Sequence, residues 1–204
     1  MGIHMTQQRY DKAIALIDAA NNEDPNQETS NGTNWPKELL YSYRMSDMLE
    51  RYASDADDAI KLAVRAQHIQ RWKSPRSDYP MDRKGYYLWR TGLYKFHADT
   101  VANLLMVVGY DREFIERVKQ IVGKKSLKTN PEVQLLEDIA GLVFIEHYLV
   151  DFVTKHPEYT EEKWLDIIRK VWKKMSNRAH HFVRARHIKI PETLDTLIKK
   201  AVIE

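Results

Sequence analysis

The sequence contains no cysteine, so disulfide bonds, thiolate metal sites and cysteine nucleophiles are excluded. Glycine and proline are also scarce, with seven of each in 204 residues. No apolar run approaches the ~20 residues that a membrane-spanning helix requires, so we expect no membrane association and a cytoplasmic protein. The P-loop, dinucleotide-binding, GxSxG and HExxH patterns are missing as well. Any activity must therefore depend on residues that common short motifs do not mark.

What remains is a chain dominated by helical patterning. Hydrophobic residues make up 43% and charged residues 30% of it, which is the balance of an ordinary globular domain. Apolar residues recur with helical spacing, and the alternation typical of strands is nearly absent. Residues 26–34, NQETSNGTN, are expected to form a polar loop. We predict an all-α fold, a single compact bundle of about eight helices.

The chain ends differ from its middle. The first five residues, MGIHM, contain two methionines and resemble a vector-derived segment, so residues 6–204 are expected to form the single domain. The formal net charge is only +3, but residues 155–204 contain 12 Lys and Arg against 7 Asp and Glu. Residues 178–204 are predicted to be a basic helical extension. It would face RNA or a protein partner, although a solvated helix face is the commoner explanation of such charge.

The stretch AVRAQHIQRW, residues 63–72, is predicted to be helical, with Arg65, His68 and Trp72 on one face. A lone helical histidine is more often structural than functional. Further along, LWRTGLYKFHAD places Arg90 and His97 on a common face of another helix. Each histidine is therefore either a metal ligand or a satisfied structural residue.

A pair of acidic residues, Glu137 and Asp138, enters the most apolar helix. Glu137 is suited to the helix dipole, whereas Asp138 falls on an apolar stripe with Leu142 and Ile145. A buried carboxylate requires a hydrogen-bonding or charged partner, or a metal ion. Asp138 is therefore the better candidate for a buried acid with a partner.

Together, His68, His97 and Asp138 would form a mixed nitrogen and oxygen site for a divalent ion such as Mn, Fe, Zn, Ni or Mg. Glu137 would act as a base or orient water. Several basic residues would hold phosphate oxygens, although each one alone is more often a surface residue. These residues are Arg65, Arg71, Arg76, Arg83, Arg90, Lys124 and Lys125.

Five segments carry a resemblance to a known family: RAQHIQRW, SDYPMDRKGYYLWR, YKFHAD, LEDIAGLVFIEHY and DIIRKVWKKMS. They resemble the signature blocks of an uncharacterised all-helical family from bacteria and fungi, some of whose members are labelled glutamyl-tRNA synthetase. The resemblance covers about residues 9–176. The nucleotide-binding α/β pattern of a synthetase does not accompany these blocks.

The order of elements is also similar to the HD superfamily of metal-dependent phosphohydrolases. That resemblance implies His68 as the first histidine ligand and Asp138 as the last acid. The family's adjacent His-Asp pair is replaced by His97 and Asp99, two residues apart, and such residues point about 200° apart on a helix. Either His97 alone binds the ion, or the site is remodelled, or the metal has been lost.

The preferred hypothesis is a metal-dependent phosphohydrolase of HD-like architecture acting on a nucleotide or another small phosphorylated metabolite. The alternative is a non-catalytic protein that binds a nucleotide or RNA, with buried ion pairs such as Arg65 with Asp138. A third hypothesis is a helical scaffold whose basic C-terminal helices bind a protein partner. The sequence leaves the oligomeric state open.

Overall fold

A computed structural model describes residues 2–127 and 129–202, without the side chains of residues 2–5. The chain divides into two compact units, Met1–Leu136 and Glu137–Glu204. The helices are α1 (Gly2–Asn22), α2 (Lys37–Tyr52), α3 (Asp58–Arg65), α4 (Arg83–Val108), α5 (Arg112–Val122), α6 (Pro131–Val143), α7 (Leu149–Lys155), α8 (Glu161–Trp172), α9 (Asn177–Arg184) and α10 (Glu192–Val202). Two short 3-10 helices, Arg71–Lys73 and Arg76–Asp78, and one π-helix, Phe144–Tyr148, complete the helical structure. The all-α prediction is confirmed. In the part of the chain described, no helix is both long and apolar enough to cross a bilayer.

Short polar side chains cap the starts of several helices. Asp111 accepts a hydrogen bond from the backbone N–H of Phe114, and Thr160 accepts one from Lys163. The side chain of Asn130 accepts from the N–H of Glu132. These bonds satisfy amide groups that the first turn of a helix leaves without an intrahelical partner.

The expected loop at residues 26–34 was wrong. Strands β1 (Gln27–Ser30) and β2 (Thr33–Pro36) form an antiparallel hairpin in which Ser30 pairs with Thr33. Asn31 and Gly32 make the turn with φ values of 50° and 76°. An Asn-Gly pair in the left-handed region suits a two-residue hairpin turn. The Asn-Gly pair within this polar segment is therefore the sequence feature that indicates the hairpin.

Residues 161–184 form two helices separated by a short turn. α8 ends at Trp172, and Ser176 starts α9 by accepting a hydrogen bond from the N–H of Ala179. The carboxylate of Asp138 accepts hydrogen bonds from the backbone N–H, at 2.7 Å, and the hydroxyl of Ser176. Asp138 is therefore a buried acid with a partner, and it fixes the start of α9.

In the first unit, α4 packs against α5 and α1, while α3 packs against α2 and α5. Fully buried side chains from all five helices form its core, including Ile17, Met45, Leu62, Leu105 and Ile121. The first unit is thus built around a central apolar cluster, and the turn after α3 lies beside α4.

The second unit contains the described part of the predicted extension. α10 packs against α8, and Leu194 and Ile198 of α10 are buried. An aromatic cluster of Phe152, Tyr159 and Trp164 lies in the same unit, with Phe152 edge-on to Trp164 at 5.5 Å between ring centroids. Helices α9 and α10 are therefore parts of a packed unit.

Two glycines of α4 give opposite expectations. A Cβ on Gly85 would lie 2.0 Å from the backbone oxygen of Pro80, whereas one on Gly92 would meet only the Tyr79 hydroxyl at 3.4 Å. We expect Gly85→Ala to lower the free energy of unfolding by about 1–3 kcal/mol, as overpacking does. Gly92→Ala should raise it by roughly 0.5–1 kcal/mol, since alanine favours helix. Urea unfolding of both variants checks the pair, and equal effects would contradict the close approach at Gly85.

Candidate functional site

A cavity of about 160 Å³ opens in the first unit. It is lined by the turn after α3, by the inward face of the first half of α4 and by the end of α5. Five of the predicted site residues line it, namely His68, Arg71, Arg90, His97 and Lys124. The first unit therefore brings together five predicted site residues that are spread over 56 positions of the sequence, from His68 to Lys124.

The turn after α3 places His68 and Arg71. The helix expected to run to Trp72 ends at Arg65, so Arg65, His68 and Trp72 do not share a helix face. Gln70 has a φ of 52°, and its backbone N–H donates to the Asn21 side chain at 3.0 Å. A non-glycine residue in the left-handed region costs of order 1 kcal/mol. The surrounding contacts support that strain, and the turn directs residues on both sides of it toward the cavity.

His68 is held on three sides. The Tyr41 ring stacks on it with 4.2 Å between centroids, and a Glu38 oxygen lies 3.4 Å from Nδ1. Nη1 of Arg71 lies 3.1 Å from Nε2. Because a guanidinium only donates, Nε2 accepts and the proton of the neutral ring is on Nδ1, facing Glu38. Burial, and then the charge of Arg71, lowers the pKa of His68 well below its ordinary value. His68 is therefore a neutral residue that positions Arg71.

His97 lies on α4 beside His68, with 5.8 Å between ring centroids. Its side chain is 3% exposed, and its Nδ1 lies 2.9 Å from the carbonyl oxygen of Ile69. Its Nε2 is buried and has no hydrogen-bond partner among the described residues. Burial, and then the neighbouring His68, lowers the pKa of His97 to about 3. The ring is therefore neutral, its Nε2 is a buried acceptor, and His97 is one of the residues that line the cavity.

Three cations line the same cavity. The Arg71 guanidinium lies over the Trp89 ring, 5.0 Å from its centroid. Arg90 donates from Nε to the Tyr94 hydroxyl at 2.6 Å and from Nη1 to the Tyr86 hydroxyl at 3.0 Å. Neither arginine forms an ion pair with an acidic side chain in the residues that the structure covers. Neutral groups thus orient both guanidinium groups.

Lys124 reaches the cavity from a strained position. The N–H groups of Lys124 and Lys125 bond the carbonyl groups of Ile121 and Gln120, which is the Schellman pattern that ends many helices. Lys124 has a φ of 53°, at the position in this motif that glycine usually occupies. Its ammonium lies 5.4 Å from the centroid of the Tyr94 ring. A lysine here costs stability and supplies a third positive charge.

An acidic residue, Glu38, lies beside the two histidines. It was not among the site residues predicted from the sequence. Its side chain is 8% exposed, and burial raises its pKa above the ordinary value, against the opposing effect of Arg71. Its backbone N–H donates to Asp24. A lone glutamate in an amphipathic helix carries no pattern that distinguishes it from a surface residue, so only the fold identifies it.

Arg65 is built into the core of the first unit, away from the cavity. Its Nε and Nη2 each donate to Asp18 at 2.7 Å, its guanidinium lies over the Tyr43 ring, and its side chain is 6% exposed. The alternative hypothesis predicted an ion pair between Arg65 and Asp138. That prediction was wrong, because Arg65 donates to Asp18. Arg65 is a structural residue and does not line the cavity.

The other predicted residues are placed separately. Arg76 donates to the carbonyl groups of Tyr79 and Asp82 and holds the loop before α4. Arg83 is exposed on α4 over the Tyr87 ring, and Lys125 is exposed. Glu137 and Asp138 are buried in the second unit.

Asp99 lies apart from His97, as their spacing on a helix requires. Its carboxylate pairs with Lys95 at 2.5 Å and with Lys119 at 3.2 Å. The Lys95 hydrogen bond, followed by that of Lys119, lowers the pKa of Asp99 despite some desolvation. Asp99 therefore serves a surface ion-pair cluster between α4 and α5.

The predicted metal ligands form an incomplete set in this arrangement. Nε2 of His68 already accepts from Arg71, and Asp138 accepts from Ser176 in the second unit. Among the residues described, no group of three or more His, Asp or Glu side chains is arranged to hold a metal ion. The residues present do not fit the metal centre that the HD resemblance implies. A bound divalent ion remains a prediction.

Neutral His97 makes stability depend on pH. In the unfolded chain it gains a proton near pH 6.5, but in the folded chain only near pH 3. Between these values unfolding takes up a proton, so the free energy of unfolding falls by up to ~1.4 kcal/mol per pH unit on acidification. The lowered pKa of His68 acts in the same direction, and the raised pKa of Glu38 opposes it.

We expect His97→Asn to make the free energy of unfolding less dependent on pH. The slope should fall by the equivalent of about one proton taken up on unfolding. Urea unfolding of the wild type and the variant at pH 7.5, 6.5, 5.5 and 4.5, values that bracket the ordinary histidine pKa, checks it. Parallel slopes for the two proteins would mean that His97 is not held neutral.

Comparison with known proteins identifies one family. No curated protein and no solved structure matches the chain. A family profile described as a domain of unknown function, DUF4202, matches residues 11–198. The match contains both the cavity of the first unit and the described helices of the second up to residue 198. Because it covers most of the sequence, the chain belongs to the DUF4202 family.

Proposed function

We propose that the first unit binds a small phosphorylated molecule in the cavity between the α3 turn, α4 and α5. The observation that carries this proposal is the pair of arginines at one cavity, whose hydrogen-bond and ring partners among the described residues are neutral groups. Guanidinium groups fit phosphate oxygens with paired hydrogen bonds. Three positively charged side chains line one cavity, and neither arginine is ion-paired with an acid among the described residues. This arrangement favours an anion as the occupant.

The walls and the size of the cavity narrow the class of ligand. Its volume of about 160 Å³ is below the roughly 300–1,000 Å³ of most small-molecule sites. It therefore suits the phosphate end of a ligand and a few adjoining atoms. Trp89 and the exposed Tyr86 stand at the same site, where a larger group such as a nucleotide base would stack. Small phosphorylated metabolites and nucleotides both meet these requirements, whereas nothing in this cavity favours RNA over a single nucleotide.

Metal-dependent phosphohydrolysis, to which the HD resemblance points, is the second candidate. It is supported by the two neutral histidine rings 5.8 Å apart at the cavity, because neutral imidazole is the form that binds metal. It requires a third ligand from the first unit, because Asp138, the acid that the resemblance implies, accepts hydrogen bonds from Ser176 in the second unit. Elemental analysis of the wild type, His68→Ala and His97→Ala, with and without added phosphate, tests it. Metal in the wild type that both variants lose would support it.

Replacing Lys124 with glycine separates ligand binding from folding. The variant removes one cation and relieves the left-handed backbone, so we expect the free energy of unfolding to stay level or rise by up to ~1 kcal/mol. Affinity for a phosphate monoester should fall by about tenfold, or ~1.4 kcal/mol. Isothermal titration with glycerol 3-phosphate and urea unfolding measure the two quantities.

Lys125→Ala is the matched control for this experiment, because Lys125 is the neighbouring exposed lysine. It should leave the affinity within about twofold of the wild type, as expected of a screened surface charge. Equal losses of affinity in the two variants would contradict a specific role of Lys124.

A further inference from the structure

One buried atom of a residue that lines the cavity differs in kind from the cations around it. Nε2 of His97 is an acceptor, it is buried, and it has no partner within the described part of the chain. A buried polar atom without a hydrogen bond costs roughly 1–3 kcal/mol, and native structures contain few of them. An acceptor of this kind on a residue that lines the cavity indicates that the ligand supplies the missing donor.

The backbone fixes which nitrogen accepts. The carbonyl of Ile69 can only accept, so Nδ1 of His97 carries the proton and Nε2 carries the lone pair. Ile69 is in turn held by its place in the strained turn, next to Gln70, whose N–H bonds Asn21. A change of tautomer would cost the bond to Ile69, so the ring does not readily become a donor at Nε2.

The charges around the cavity select the donor. An ammonium group on the ligand would be repelled by Arg71, Arg90 and Lys124, which line the same space. A hydroxyl group is a neutral donor and carries no such penalty. The small volume of the cavity places this hydroxyl within a few bonds of the phosphate that the cations hold.

We propose that His97 is a specificity-determining residue that accepts a hydrogen bond from a ligand hydroxyl close to the phosphate. The ligand class is then a hydroxylated phosphate monoester, such as a sugar phosphate. This inference rests on the proposed function, since it takes the phosphate to be held by the cations. It adds that the site discriminates between phosphate monoesters with and without a neighbouring hydroxyl group.

The test compares two probes of nearly equal size, glycerol 3-phosphate and n-propyl phosphate, by isothermal titration with the full chain at pH 7.5. We expect the wild type to prefer glycerol 3-phosphate by about 10–100-fold, because a site built to bond a hydroxyl rejects the analogue that lacks it. His97→Asn keeps an N–H for the Ile69 carbonyl but places no atom at Nε2. It should reduce the preference to within about threefold and leave n-propyl phosphate affinity unchanged.

His97→Gln is the rescue variant, because its longer side chain can return an acceptor near the Nε2 position. It should restore part of the preference, which a merely structural role of His97 would not produce. Equal affinity of the wild type for the two probes, with both weakened by Arg71→Ala, would overturn the role of His97 and leave the proposed function standing. A preference that survives in His97→Asn would also overturn it. Binding of neither probe would overturn the proposed function, and this inference with it.

Discussion

Arg71→Ala is expected to weaken phosphate monoester binding by about 30–100-fold, or ~2–3 kcal/mol, the range for losing charge-assisted hydrogen bonds in a partly buried site. The guanidinium of Arg71 is oriented by the Trp89 ring and by Nε2 of His68. Removing it takes away a charge and frees His68 to turn. Arg90→Ala should give a loss of similar size, because Arg90 faces the same cavity from α4.

Arg83→Ala provides the matched control for both arginine variants. Arg83 lies on the same helix as Arg90 but is exposed and outside the cavity. Its loss should change affinity by less than about twofold, since exposed charges are screened at physiological salt. Titration calorimetry with glycerol 3-phosphate measures all three. A larger loss for Arg83→Ala than for Arg71→Ala would locate the anion elsewhere on α4.

Asp18→Ala is expected to lower the free energy of unfolding by about 3 kcal/mol, the low end of the range for breaking a buried ion pair, because Arg65 is buried and Asp18 is partly exposed. The guanidinium of Arg65 would stay buried with its bidentate partner missing, and it would keep its contacts with Ser42, Ser46 and Tyr43. For a protein of this size the melting temperature should fall by roughly 6–12 °C.

Two further variants make this prediction specific. Asp18→Ala combined with Arg65→Met should be less destabilised than Asp18→Ala alone, because an apolar side chain replaces the stranded charge. Asp47→Ala removes the exposed partner of Arg51 and should cost less than ~1 kcal/mol. Urea unfolding measures each free energy. An Asp18→Ala variant as stable as Asp47→Ala would show that Arg65 is not a structural residue.

Much of the fold could be predicted because its signals are local. Asp111, Asn130 and Thr160 mark helix starts by hydrogen bonds within three residues, and such bonds depend only on nearby sequence. The end of α3 at Arg65 could not be found in this way. The left-handed turn that follows α3 is held by the side chain of Asn21, which accepts from the N–H of Gln70. These two residues are 49 positions apart in the sequence. The helical period of residues 63–72 therefore misled the prediction.

The candidate site was predicted in part for a similar reason. His68, His97, Arg71, Arg90 and Lys124 were chosen as titratable or basic residues, and the fold does place them at one cavity. Arg65 was chosen on the same grounds, yet it pairs with Asp18 across 47 residues of sequence. Residue type alone cannot distinguish an arginine held by a carboxylate from one held by tyrosine hydroxyls.

The most direct test of the central claim is where a phosphate monoester binds. A titration with glycerol 3-phosphate, followed by ¹H–¹⁵N NMR, would resolve the side-chain nitrogen signals of arginine and histidine. We predict saturable shifts at Arg71 and Arg90 Nε and at His97, with Arg83 and the basic residues of α8 and α9 unchanged. Shifts confined to those α8 and α9 residues, or none at Arg71 and Arg90 at saturating probe, would contradict a phosphate site in the first unit.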